Sequence, residues 1–410
     1  MLHQPAKRVL ILGGGFAGLA AARALPPAHR VTLIDRRSNF EFLPNIHELV
    51  SGVKTAKALR LPYRETLHRL GHRFLEDDVT GIDPSAREVV TASGTHHFYD
   101  AAIVALGGVD ATYGVPGVAK NAVSFKSVAE CETIGRRLRE LEGGGRPYHV
   151  VVVGGGFEGI EALGEILRAY GRSPRLSVTL VEGADRLMAN GPPEVDARLR
   201  QLAAGYPVRF LCRAPVKRIL KRRVRLAGGD TLESNLTIWT GGVAPPPLLA
   251  DRRLTGDPGE WLAACSTLQH PKFPTLFVVG DVAGLTGGAA GKQAYHALDM
   301  GVCAARNIER LFRLRRLKDY SPVNKPALVS FGNLGGVLVW GDRAAEGVVF
   351  TLMKEAVFHL VMARLDRPVT WSPAGRLASR LGATVTKIGW PTLKSWGALR
   401  RLPGVRILRD

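Results

Sequence analysis

Two copies of a glycine-rich turn, each set between an apolar strand and a helix, restrict the fold of this chain more than any other feature. The first reads Arg8-Val-Leu-Ile-Leu-Gly13-Gly14-Gly15-Phe16-Ala17-Gly18, the second Val150-Val-Val-Val-Gly154-Gly155-Gly156-Phe157-Glu158-Gly159. In each G-x-G-x-x-G the first glycine (Gly13, Gly154) permits a tight turn. The second (Gly15, Gly156) admits a pyrophosphate, and the third (Gly18, Gly159) lets the helix pack on the strand. A pyrophosphate then sits on the free amides and positive end of the helix. A second strand ending in an acid follows each copy. Asp35 lies 22 positions after Gly13, and Glu182 lies 28 after Gly154. A longer helix and a turn around 171–174 absorb the difference. Two strand–turn–helix copies with their acids imply two dinucleotide sites, hence two cofactors able to exchange electrons.

Further apolar strands end in glycines or acids. Tyr99–Gly108 runs into Ala105 and Gly107, Ile238–Gly242 ends on Gly241 and Gly242, and Thr275–Asp281 ends on Gly280 and Asp281. Strands alternating with helices predict an α/β fold with two Rossmann-like domains, the second inserted in the first. We expect residues 1–115 and 265–325 to hold one dinucleotide and 116–264 the other. Helices are expected from about Gly291 to Leu314 and from about Glu346 to Leu365. The region 326–410 reads as a basic, apolar membrane-associating segment.

The 56 basic and 36 acidic residues leave a formal charge of +20. Nucleic-acid motifs are absent, so an anionic membrane surface is the favoured partner, with no nucleic acid. Residues 360–410 alone hold ten basic side chains against two acids. The helix after Glu346 carries Val349, Leu352, Met353, Ala356, Leu360 and Ala363 along one face. Phe350, Val357 and Val361 widen that arc and leave Lys354, Glu355 and His359 on a narrow polar sector. That pattern suits interfacial docking. No stretch reaches the length of a spanning helix. Cys131, Cys212, Cys265 and Cys303 are scattered, which argues against a metal site, a secreted disulfide framework and a local redox dithiol. The expected location is peripheral, at the cytoplasmic face of the inner (plasma) membrane.

The segments Gly13–Gly18 with Asp35, Tyr99–Gly107, Gly154–Glu165, Ile238–Gly242 and Leu276–Asp281 resemble the two-dinucleotide-domain flavoproteins. Gly156-Phe-Glu-Gly-Ile-Glu161-Ala-Leu-Gly-Glu165 and Trp239-Thr-Gly-Gly-Val-Ala-Pro resemble in particular the type II NADH:quinone oxidoreductases. The resemblance implies FAD at the Gly13 site and NADH at the Gly154 site, with hydride passing to the flavin and electrons leaving for a quinone without proton pumping. It implies that Asp35, with its neighbour Arg36, meets the FAD ribose, and that Asp281 meets the ribityl–phosphate part. Glu182 would meet the NADH ribose and repel a 2′-phosphate, although Arg186 stands close by. Glu161, placed on the first turn of its helix, would lie near the nicotinamide. Lys292 would face the flavin pyrimidine.

Family members carry two glutamines on the helix after the FAD aspartate. Here Tyr295 and Asp299 take those places, and Gln293 is out of register. A homodimer is compatible with the family. Three alternatives are a sulfide:quinone reductase, which needs redox cysteines flanking the flavin, another FAD/NAD(P)H oxidoreductase with a non-quinone acceptor, and an NADH-responsive flavoprotein sensor without sustained turnover.

Overall fold

The computed structural model describes residues 6–251, 254–255, 259–286, 291–323, 325–367 and 399–409. Two five-stranded parallel sheets share one strand order. The first runs Leu276–Val278, Ala101–Val104, Arg8–Leu12, Arg30–Asp35, Arg73–Glu76. The second runs Val123–Ser124, Leu236–Trp239, Tyr148–Val153, Leu176–Val181, Val208–Leu211. Strands buried on both faces need continuous apolar runs, and Val9–Leu12 and Val150–Val153 supply them at the sheet centres. In register, Leu12 lies between Ile34 and Val104, while Val152 lies between Leu180 and Ile238.

The outer strand Leu276–Val278 joins the first sheet only after the chain has completed the second. One sheet is thus inserted in the sequence of the other. Where the chain crosses between them, Val109–Asp110 pairs antiparallel with Val243–Ala244. The helix Phe16–Ala24 packs on the helix Ala294–Phe312. A Cβ at Gly301 would lie 2.1 Å from the Ala17 carbonyl oxygen, so this glycine allows the two backbones to touch.

Beyond residue 326 the described chain is a folded layer rather than a simple docking tail. Ala327–Ser330, Gly336–Trp340, Arg343–Glu346 and Arg406–Arg409 form a four-stranded antiparallel sheet under the helix Val348–Asp366. Arg198 pairs with Glu346, and Arg409 with Glu194, tying this layer to the second domain. The helix turns outward the apolar face that the sequence assigns to docking, but Lys354, expected on the polar sector, is buried. Phe350, Lys354, Phe358 and Leu365 point inward, whereas Val348, Leu352 and Leu360 stay more than 60% exposed. The inward position of Lys354 has a physical reason: its ammonium meets a buried carboxylate. Phe358 adds an edge contact to Phe42 at 5.0 Å, and Arg23 donates to the Leu365 carbonyl at 2.8 Å. The basic residues 376, 380, 387 and 394 lie outside the described residues. Among the described residues no helix is long and apolar enough to cross a membrane.

Candidate dinucleotide cleft

The two glycine turns are near copies in space. Gly13 has φ +98° and Gly154 φ +112°, a left-handed backbone that favours glycine. A Cβ on Gly18 would lie 1.9 Å from the Gly13 carbonyl oxygen, and one on Gly159 1.8 Å from that of Gly154. Helix and strand touch there, as the third glycine of the motif requires. Gly15 and Gly156 instead face open space, the side where a phosphate must approach.

The acids repeat the symmetry. Asp35 accepts from the Gly14 amide at 2.7 Å and the Arg37 amide at 2.8 Å. Glu182 accepts from the Gly155 amide at 2.5 Å and the Ala184 amide at 2.7 Å. Each carboxylate therefore pins its glycine turn and its own strand end. Burial pushes the Asp35 carboxyl up, and the two amides oppose that rise. Arg186 is already engaged, donating to the carbonyls of Ala189 at 2.8 Å and Gly191 at 3.2 Å.

One continuous cavity of about 3560 Å³ runs along both turns. Gly13, Gly15, Asp35, Arg36, Ala105, Gly107, Gly280 and Asp281 line it from the first domain, Gly156, Glu161 and Gly242 from the second. Lys292 and Tyr295 line it from the segment that opens the helix Ala294–Phe312. Glu182, Gly241 and the packing glycines Gly18, Gly154 and Gly159 are not among its lining residues. Arg306, Arg310, Arg313 and Arg315 give the cavity one strongly basic wall.

Asp281 is desolvated, which raises its carboxyl, while Lys292 and Lys126 pull it down. The Lys292 ammonium is committed to the turn: it donates to the carbonyls of Asp281 at 2.6 Å and Ala283 at 2.7 Å and stands 3.9 Å from the Trp261 ring centre. The sequence places it against a flavin ring; in the structure it lines the cavity while two of its three donors hold the Asp281 turn. Tyr295 donates to the Lys325 carbonyl at 3.1 Å, and Lys325 pairs with Asp299 at 2.8 Å. Gln293 caps that helix, and its buried Oε1 has no hydrogen-bond partner; Oδ1 of Asp110 is in the same condition. Both residues line the cavity.

Glu161 is the fifth residue of the helix Phe157–Tyr170, one turn deeper than its assigned first-turn position. It pairs with Lys354, accepts from the Ser330 amide at 3.1 Å and stands 3.5 Å from His47 Nδ1. Desolvation lifts its carboxyl and Lys354 opposes the lift most strongly. Burial holds the His47 imidazole well below its ordinary range, aided by Lys354, so the ring stays neutral. One helical turn on, burial pushes Glu165 up to about 7, although Ser51 donates a hydrogen bond to it. Lys354, Ser330 and His47 carried no signal in the sequence, because they arrive from elements far away along the chain.

A dinucleotide pair fits these residues: two open glycine faces, two pinned acids, a basic wall, and buried oxygens without partners. The chain matches the pyridine nucleotide-disulphide oxidoreductase model over residues 7–301 and belongs to that family. Its cofactors are FAD and NADH. Among curated relatives, type II NADH:quinone oxidoreductases of Staphylococcus epidermidis and Staphylococcus aureus are 26% and 24% identical over 386 residues. Each match covers 87% of this chain and 95% of the relative. The fold is shared with the sulfide:quinone oxidoreductase of Aquifex aeolicus (TM-score 0.78, 20% identity, 99% of this chain and 98% of that one). It is also shared with NDH2 of Plasmodium falciparum in complex with NADH (0.77, 16%, 93% and 98%).

Proposed function

We propose that this protein is an NADH:quinone oxidoreductase, with FAD at the Gly13 turn and NADH at the Gly154 turn. The carrying observation is the single cavity that reaches from Asp35 and Asp281 of one domain to Gly156 and Glu161 of the other. Such continuity is what two dinucleotides need to exchange electrons. When bound, FAD and NADH supply the hydride and electron chemistry.

The chain's own residues bind, orient and manage protons. The amides at Gly15 and Gly156 receive the pyrophosphates, and Asp35 and Glu182 hold the ribose hydroxyls. Lys292 fixes the Asp281 turn through two carbonyls. Glu161 holds negative charge against Lys354, and its Oε2 stands within 3.5 Å of the neutral His47. A desolvated carboxyl with an imidazole at its back is suited to taking up and releasing a proton at that oxygen. Tyr295, which lines the same cavity, is the residue we assign to the acceptor.

The relatives' printed activity supports a quinone as acceptor. In this reading electrons enter as hydride and leave for the acceptor without proton pumping, as the resemblance to type II NADH:quinone oxidoreductases implies. The exposed row Val348, Leu352 and Leu360, together with the net charge of +20, supports peripheral docking on an anionic membrane at the cytoplasmic face. A sulfide:quinone reductase has an equal claim on the fold. The thiols do not supply the flanking pair it needs: Cys303 lines the cavity, but Cys131, Cys212 and Cys265 do not. The test is anaerobic: NADH should bleach the bound FAD, and a quinone should restore its colour. Bleaching by sulfide but not by NADH would favour the alternative.

A further inference from the structure

The motif position between Phe157 and Gly159 carries an acid that the function above does not use. Glu158 is the second residue of its helix, in the first turn. The Lys126 ammonium contacts both of its oxygens at 2.5 Å. Both residues line the cavity, and the Glu158 side chain keeps 36% of its surface open to it. A carboxylate in the first helical turn is favourable to an empty helix. It is unfavourable to a bound pyrophosphate, because two anions then compete for the same positive helix end.

Lys126 is placed to offset this. It lies just beyond the strand Val123–Ser124, and its amide is tied to Glu130 at 2.9 Å. Its charge acts on Asp281 of the first domain as well as on Glu158 of the second, and on Asp110 between them. One cation therefore serves acids from both dinucleotide sites.

We infer that Lys126 is a positioning residue for the nicotinamide dinucleotide: it neutralises Glu158 so that the pyrophosphate can seat on the Gly154–Gly159 turn. The inference rests on the assignment of NADH to that turn. Lys126 touches no reacting atom in this reading, and the double variant separates its effect through Glu158, the acid its ammonium contacts, from its effect on Asp281 and Asp110.

The test measures NAD+ affinity by calorimetry on the FAD-loaded enzyme. Lys126→Met is expected to weaken NAD+ about tenfold, the size of one partly solvated anion repulsion. Glu158→Gln alone should stay within about threefold of the parent, and the double variant should return to that range. Adenosine, which lacks the pyrophosphate, should compete equally well in all four proteins. A double variant as weak as Lys126→Met would overturn the inference, as would unchanged affinity in Lys126→Met. If Lys126→Met alone does not fold, the comparison is Glu158→Gln against the double variant, and a difference beyond about threefold overturns it. Parent enzyme that binds NAD+ normally while Lys126→Met matches it sinks only this inference. Parent enzyme that binds neither NAD+ nor NADH removes the dinucleotide assignment itself.

Discussion

Glu165→Gln should stabilise the protein at alkaline pH and leave it nearly unchanged at acid pH. Glu165 is fully buried, and burial raises its carboxyl from 4.5 to about 7 against the opposing pull of the Ser51 hydroxyl and Arg168. A raised carboxyl binds its proton more tightly in the folded chain than in the unfolded one. Its contribution to stability is therefore complete below about pH 4.5 and is lost as pH rises through about 7. Raising a carboxyl by one pH unit is worth about 1.36 kcal/mol, so the loss above pH 7 amounts to about 3 kcal/mol. Glutamine has the same shape and no charge at any pH. The difference between variant and parent in urea midpoints should thus start near zero at about pH 4.5 and grow to about 3 kcal/mol at about pH 8. A difference that stays constant across this range would refute the reasoning, because it would show that Glu165 does not change protonation on folding.

Three further outcomes follow from the same geometry. Glu182→Gln keeps an acceptor for one of the two amides held by Glu182 and removes the charge that would face a 2′-phosphate. The ratio of kcat/KM for NADH over NADPH should fall about tenfold in steady-state assays, and an unchanged ratio would remove the role of Glu182. Lys354→Met strands a buried carboxylate and should cost about 3–5 kcal/mol in denaturant titrations. That loss should be largest at alkaline pH and shrink toward acid pH as Glu161 takes a proton; a pH-independent loss would contradict the pairing. The double change Leu352→Glu, Leu360→Glu alters only exposed positions, so it should release the protein from anionic liposomes while leaving FAD content unchanged. Retained sedimentation with the liposomes would place the membrane contact elsewhere.

The nucleotide turns were legible in the sequence because every part of that motif is local. Gly13 and Gly18, or Gly154 and Gly159, meet within six residues, and Asp35 and Glu182 end the very next strand. The duplicated strand order follows from the same repeat. The environment of Glu161 was not legible. Its partners Lys354, Ser330 and His47 come from three distant elements, and no periodicity encodes a contact across 193 positions. The helix Val348–Asp366 was legible in part: Leu352 and Leu360, on the face read as docking, are exposed, whereas Lys354, read as part of the polar sector, turns inward to meet Glu161 through a contact that no local pattern encodes. Lys292 shows a third limit: it is read from its place beside a helix start, and its two bonds to the carbonyls of Asp281 and Ala283 come from a turn that local pattern does not link to it.

The central claim is that one cavity carries electrons from NADH through FAD to a quinone. It is tested most directly by stopped-flow absorbance of the yellow, FAD-loaded protein under anaerobic conditions. NADH should bleach the flavin band in a single turnover, and a water-soluble ubiquinone or menaquinone analogue mixed in afterwards should restore it at a rate that supports steady-state turnover. A flavin that bleaches with NADH but is reoxidised by none of the quinones would contradict the account.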